Sequence, residues 1–144
     1  MPSSDRFKPA LKLQAATEAD AMIAFPWRND PSSRSQFHDS TPIDAEAHRA
    51  WWTATLSNPD RSLLMAMRDG VPVGVVRLDR TGASAEVSIY LDPAQAGRGF
   101  GRQALTAAVD HARLIGLTSL VASIKESNTR SQRAFAATGF DKRG

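Results

Sequence analysis

Between Ser62 and Leu91 three apolar, β-rich runs follow one another with only Asp69-Gly70 and Thr81-Gly82 as breaks. Connections this short join antiparallel neighbours, so the spacing predicts adjacent strands over SLLMAM, VPVGVVRLDR and ASAEVSIYL. After Leu91 the pattern changes. A glycine-rich loop leads into a helical segment whose apolar residues Ala104, Leu105, Ala108, Val109, Ala112 and Ile115 step by threes and fours. Gly116 stands where such a helix ends. The run TSLVASI, residues 118–124, then reads as a buried strand, and a short helix from Thr129 to Thr138 stops at Gly139.

Upstream, Leu11 to Ala15 alternates like a half-buried strand, and Thr17 with Asp20 three residues on marks a helix start. The predicted helix covers Glu18 to Phe25 and is ended or kinked by Pro26. WRNDPSSR, Trp27 to Arg34, reads as a turn-rich connector, and Thr41-Pro42 breaks the chain again. A second helix follows with Asp44 as its cap and with Ala47, Trp51 and Thr55 on one face. The order is β-α-α-β-β-β-α-β-α. It predicts an α/β fold with a mixed, mostly antiparallel sheet and helices on both faces.

The 144 residues are enough for one core, expected over residues 11–144 behind a flexible tail at 1–10. No apolar run approaches the roughly 20 residues of a spanning helix, and the first ten residues lack an apolar stretch of signal-peptide length. The reading is a cytoplasmic protein with no membrane partner. With no cysteine, disulfides and thiolate chemistry are excluded. His38, His48 and His111 lie too far apart for a recognisable ligand spacing, so no metal is expected. The net charge is +3, from 18 basic and 15 acidic side chains, without a basic run or aromatic-studded basic face. That argues against nucleic acid and fits a small phosphorylated ligand.

The loop DPAQAGRGFGRQAL, Asp92 to Leu105, is where such a ligand would sit. Gly97, Gly99 and Gly101 open the backbone ahead of a helix whose first N–H groups lack partners. Arg98 and Arg102 can add charge-assisted bonds. The dinucleotide fingerprint fails because Arg102 follows where a third glycine belongs, and no Gly-Lys-Ser/Thr is present for a Walker loop.

AGRGFG, Ala96 to Gly101, preceded by IYLDP and followed later by NTRSQRAFAATGF, Asn128 to Phe140, resembles the GNAT superfamily of N-acetyltransferases over about Leu11 to Phe140. The resemblance implies acetyl-CoA as cosubstrate and transfer of acetyl to a primary amine of a small molecule. It assigns the cofactor to Ile89, Leu91, Ala96, Gly97, Arg98, Gly99, Phe100, Gly101, Arg102, Asn128 and Ser131. Ile89 and Leu91 would pair with the pantetheine arm as with an added strand, and the Leu91 N–H would polarise the acetyl carbonyl. Ala96 departs from the family's usual Gln or Arg. Phe135 stands where many relatives carry a proton-donating tyrosine, so a phenol in that role would have to be Tyr90, the only tyrosine; the alternatives are a buried Tyr90 with a local hydrogen bond and a thiolate protonated by water. The resemblance also implies closing strands, while the sequence stops at Gly144; a missing C-terminal strand or a homodimer would account for that.

An alkyl amine with a pKa of about 10.4 is neutral in about one molecule per thousand at pH 7, so transfer needs a route for its proton. The period of two puts Glu86, Ser88 and Tyr90 on one strand face, making Glu86 either the base or a solvated strand glutamate. WRNDPSSR and TPIDAEAH resemble GNAT members acting on nucleotide-linked amino sugars or on ribosomal-protein N-termini. Trp27, Arg28, Asn29 and His48 are then the acceptor candidates, with His48 either an acid/base or a cap for Thr41-Pro42. Peptide N-terminal acetylation and coenzyme binding without turnover are the alternatives.

Overall fold

The computed structural model describes residues 11–34, 41–123 and 129–140. Its elements are β1 (Lys12–Ala15), a 3-10 turn (Glu18–Asp20), α1 (Ala21–Asn29), α2 (Pro31–Arg34), α3 (Ala45–Leu56), β2 (Arg61–Arg68), β3 (Val71–Thr81), β4 (Ser84–Leu91), a 3-10 turn (Pro93–Gln95), α4 (Phe100–Leu114), β5 (Ser119–Val121) and α5 (Thr129–Ala137). The five strands form one sheet in sequence order, antiparallel from β1 to β4, with β5 parallel to β4. The mixed sheet expected from the pattern is present.

The β2–β3 turn places Asp69 and Gly70 at φ 51° and 81°, the pair of positive angles that matches the twist of a two-residue hairpin. Leu64, Ala66, Val76, Leu78 and Val87 bury one sheet face against Phe100, Ala104, Leu105 and Ala108 of α4. Leu63, Met65, Val75 and Tyr90 bury the other against Ala24, Trp27 and Trp52 of α1 and α3. Covering both faces explains why β2 and β3 read as nearly unbroken apolar runs.

Helix ends follow local chemistry. The Asp44 carboxylate accepts from Ala47 N–H at 2.7 Å. At the end of α4, Leu117 N–H reaches Ala112 O at 2.9 Å and Gly116 N–H reaches Arg113 O at 3.1 Å around Gly116 at φ 86°. The same Schellman pattern closes α5, where Phe140 N–H meets Phe135 O and the two rings pack edge to face at 5.0 Å.

Four local expectations shift. Glu18–Asp20 is a 3-10 turn, and α1 continues through Pro26 to Asn29 instead of stopping at Phe25. The bond lost at Pro26 would have used the carbonyl of Met22, an exposed residue where water can serve, and the continuation drives Trp27 into the core. Pro31–Arg34 is a helical turn within the expected connector, started by Pro31 with Asp30 accepting from Ser32 N–H at 3.0 Å. On α3 the buried face is His48, Trp52 and Thr55, one residue round from the predicted face. The TSLVASI strand is regular only over Ser119–Val121, and Ile124 lies outside the described residues.

Candidate functional site

One edge of β4 has no strand partner beyond Glu86 among the described residues. Asp92 N–H bonds to Val73 O at 2.9 Å, and Ala83 O accepts from Thr118 N–H at 2.8 Å. Alternation along an antiparallel strand therefore turns the even-numbered residues to β3 and the odd-numbered ones, Ile89 and Leu91 included, to the β5 side. On that side β5 pairs only with Ser84, Ala85 and Glu86. On that side none of the described strands pairs with β4 beyond Glu86, so the amides and carbonyls of Ile89 and Leu91 have no strand partner there among the described residues.

Gly74 sets how β3 lies under this edge. It pairs with Leu91, and a Cβ built on it would stand 2.8 Å from Leu91 Cδ2 and 2.9 Å from Tyr90 O. Sequence reasoning did not single it out, although a glycine inside VPVGVV is the usual signal of close approach in a strand. Opposite it, a bulge between Ala66 and Met67 breaks the β2–β3 register.

The strand then runs into the glycine loop. Asp92 caps the turn by accepting from Ala94 N–H at 3.0 Å. Ala96, Gly97, Arg98 and Gly99 are exposed, Gly97 and Gly99 have φ of 82° and 80°, and nothing lies within 4 Å of a Cβ built on either. Gly99 is the N-cap of α4 and supplies no side-chain cap; the first intrahelical bond runs from Gln103 N–H to Gly99 O. The N–H groups of Phe100, Gly101 and Arg102 thus precede the helical ladder, at the positive end of a 15-residue helix. Phe100 is buried beneath them, with the Arg68 guanidinium 5.7 Å from its ring centroid. Gly101 keeps ordinary dihedrals and lies 3.9 Å, on its Cβ side, from Leu91. Arg102 is exposed. The loop and this edge of β4 are therefore contiguous.

On the α1 face, β4 presents Glu86, Ser88 and Tyr90 beside Asp79, Arg77 and Val75 of β3. Arg77 Nε donates to both Asp79 oxygens at 3.1 Å, its Nη2 lies 3.5 Å from Ser88 Oγ, and its guanidinium sits 5.2 Å from the Trp51 ring centroid. Glu86 is exposed and accepts from Ser123 Oγ at 3.0 Å. Tyr90 is 7% exposed, and burial raises its phenol well above the ordinary tyrosine value against the opposing charges of Arg28 and Arg77.

The acceptor candidates separate. Arg28 is half-buried, with Nη1 sealed from solvent. Trp27 is a core residue at 8% exposure, packed in the apolar cluster that includes Tyr90 and Trp52, because α1 passes through Pro26. Asn29 pins the chain: Nδ2 donates to Ile43 O at 2.6 Å and Oδ1 accepts from Ile43 N–H at 3.0 Å. His48 is 1% exposed between Phe25 and Trp52, with Nε2 2.8 Å from Ala21 O. Burial lowers its pKa, the Ala21 bond opposes this, and the charge of Arg28 adds to the lowering. His48 therefore joins α3 to α1 rather than capping Thr41-Pro42. Ser131 lies half-buried on α5, and Asn128 falls outside the described residues. Phe135 packs on the α4 side of the core. Among the described residues no cluster of His, Cys, Asp or Glu could hold a metal, and no helix is long and apolar enough to cross a membrane.

A strand edge without a partner on the β5 side among the described strands, continuing into a helix N-terminus with no side-chain cap, is matched by sequence: the model of the acetyltransferase (GNAT) domain aligns with residues 10–141. The chain belongs to the GNAT family. An L-amino acid N-acyltransferase of Escherichia coli is 31% identical over 138 residues, covering 90% of this chain and 79% of that protein. An L-methionine sulfoximine/L-methionine sulfone acetyltransferase of Salmonella typhimurium is 31% identical over 106 residues, or 68% of this chain. The chain spans 60% of that relative's length. In structure, spermidine N-acetyltransferase from Vibrio cholerae in complex with CoA and spermine superposes with a TM-score of 0.85 at 18% identity, covering 93% of this chain and 82% of that one. Aminoglycoside acetyltransferase AAC(6')-Ib in complex with coenzyme A gives 0.83 at 18% identity, covering 94% and 86%. These last two share the GNAT fold.

Proposed function

We propose that this GNAT protein transfers acetyl from acetyl-CoA to the primary amine of a small molecule. The observation that carries the reading is the continuity of the Ile89–Leu91 edge, unpaired on the β5 side among the described strands, with the N-terminus of α4, which has no side-chain cap. A pantetheine arm carries amide groups that can bond such an edge as a strand would. A pyrophosphate suits the amides of Gly99, Phe100, Gly101 and Arg102, since the open Cβ side of Gly97 and Gly99 admits oxygens and the helix dipole favours negative charge. Arg98 and Arg102 add charge from the surface, the Ala96 backbone borders the same loop, and Ser131, with Asn128, is assigned to the pantetheine side.

When bound, the cosubstrate supplies a thioester carbonyl. The amine nitrogen forms a bond to that carbon, the carbon–sulfur bond breaks, the sulfur leaves as coenzyme A thiolate, and the ammonium acceptor gives up two protons. One ends on the thiolate and one in solvent. The Leu91 N–H, directed to the β5 side, stabilises the negative charge that develops on the carbonyl oxygen. Glu86 takes the amine proton. Three residues of strand at about 3.3 Å each put it about 10 Å from Ile89, so the proton travels through water.

Tyr90 is a poor source for the returning proton. Its raised pKa makes transfer to a thiolate, whose thiol titrates near 8.5 in a simple cysteine, an uphill step. The phenol serves as a hydrogen-bond donor on the acceptor side, and water reprotonates the sulfur. α4 covers the opposite face of the sheet, so the acceptor approaches from the α1 side. The relatives named for L-amino acids and for methionine sulfoximine favour a compact acceptor of that kind. The nucleotide-linked amino sugar reading loses its stacking platform with Trp27 in the core.

Calorimetry with coenzyme A and thiol release with acetyl-CoA against amino acids, polyamines, amino sugars and N-terminal peptides test this. Transfer to a small amine is expected. Coenzyme binding without thiol release for any acceptor would reduce the protein to a binding module.

A further inference from the structure

Arg77 of β3 is clamped in two ways and keeps one edge to offer. Its Nε donates to both carboxylate oxygens of Asp79 at 3.1 Å, and its guanidinium lies 5.2 Å from the ring centroid of Trp51 on α3. A guanidinium can take a planar anion on a side edge that includes Nε or on the end edge made by the Nη pair. Asp79 is bound through Nε, which leaves the end edge to the side away from it. Nη2 lies 3.5 Å from Ser88 Oγ, the far limit of a hydrogen bond. The fork is thus carried over β4, where Ser88 is the strand partner of Arg77 and the residue before Ile89. The Arg77 side chain keeps 27% of its surface accessible, so it is held without being sealed off.

Both clamps are themselves secured. Asp79 also meets Arg61 of β2 at 3.4 Å, so one carboxylate serves two guanidinium groups and this cluster carries a surplus positive charge. Trp51 packs edge-on against the buried Trp52, with ring centroids 6.3 Å apart. A fork whose plane is fixed in advance loses less side-chain freedom when an anion binds.

The charges on this face of the sheet match a zwitterion. Glu86 is the strand partner of Asp79 and therefore the diagonal neighbour of Arg77, about 7–8 Å away across the strand pair. Ser88 separates the two on β4. A ligand with a carboxylate and an ammonium group close together finds the opposite charge for each, whereas a diamine brings like charge to Arg77.

We propose that Arg77, with Ser88, binds a carboxylate of the acceptor, so that the substrates are amines bearing an acid group close to the nucleophilic nitrogen, as in an α-amino acid. This rests on the transferase reading above and deepens it. The carboxylate accepts from the Nη pair and from Ser88 Oγ, and Asp79 is the positioning residue that turns the end edge toward β4. The ammonium end then lies toward Glu86 and the backbone of Ile89 and Leu91.

Matched acceptors test the proposal: one amino acid, its α-amide and the decarboxylated amine, assayed by thiol release with the unaltered protein and with Arg77→Gln, Arg77→Lys and Asp79→Asn. The unaltered protein should prefer the acid over the amide by about 10- to 100-fold in kcat/KM. Arg77→Gln should collapse this ratio, mainly through KM of the acid, with coenzyme A affinity unchanged in calorimetry. Arg77→Lys keeps the charge without the fork and should restore part of the ratio, and Asp79→Asn should lose part of it. A structural role alone would lower all three acceptors in parallel, and a ratio that survives Arg77→Gln in this way overturns the proposal. Equal rates for acid, amide and amine in the unaltered protein overturn it even if no variant folds. An unchanged ratio in Asp79→Asn removes Asp79 as the positioning residue. Failure of the unaltered protein to bind coenzyme A, or to transfer acetyl to any amine, would instead overturn the transferase reading.

Discussion

Gly99 offers the sharpest separation of folding from ligand binding. Its φ of 80° costs an L-residue about 1–2 kcal/mol, and no atom lies within 4 Å of the added Cβ, so Gly99→Ala carries the backbone cost without a clash. For a chain of this length that amounts to a fall of roughly 2–8 °C in Tm. Gly116, at the far end of the same helix, has φ of 86° and equally open space, which makes Gly116→Ala a matched control for stability. The two variants should melt alike and differ only toward the coenzyme. Gly99→Asp adds a carboxylate at the place assigned to the pyrophosphate. Losing two charge-assisted backbone bonds at about 1.5–3 kcal/mol each weakens coenzyme A by about 100-fold to 10,000-fold, before repulsion between the anions is counted. Calorimetry on the three variants, beside a melting curve for each, reads both quantities. If Gly99→Asp binds coenzyme A within threefold of the unaltered protein, the α4 N-terminus is not the anion site and the reasoning from uncapped amides is wrong.

Other outcomes follow from the same structure. Gly74→Val should lower turnover and stability together, because even the first carbon of the new side chain falls 2.8 Å from Leu91 Cδ2 and 2.9 Å from Tyr90 O; urea midpoints with and without coenzyme A will show the added loss in the bound state. Glu86→Gln should reduce kcat with little change in coenzyme affinity; an unchanged kcat in a thiol-release assay excludes Glu86 as base. His48→Ala should cost about 2–4 kcal/mol through the cavity and the lost bond to Ala21. Because burial lowers the folded pKa of His48, its neutral form contributes stability that is complete above the unfolded value of about 6.5 and declines as pH falls below it toward the folded value. Urea denaturation at pH 7.5 and pH 5 should therefore show a smaller difference in His48→Ala than in the unaltered protein.

Much of this protein was legible before folding because its signals are local. A two-residue turn demands positive φ, and Asp69-Gly70 supplies it; Asp44 advertises a cap; Gly116 and Gly139 end their helices for the same backbone reason. The glycine loop belongs here as well, since the openness at Gly97 and Gly99 is a property of those residues in that turn.

What the tertiary structure decided is which side of each element faces what. Proline at position 26 argues for a helix end, yet burial of Trp27 carries α1 three residues further, and no local pattern contains that contact. Trp27, which by its chemistry could serve either the acceptor side or the core, is packed in the core between α1, α3 and the sheet, and His48 is buried between α1 and α3. Alternation told which atoms of β4 share a side; the short reach of β5, ending opposite Glu86, is what leaves Ile89 and Leu91 without a partner on that side among the described strands.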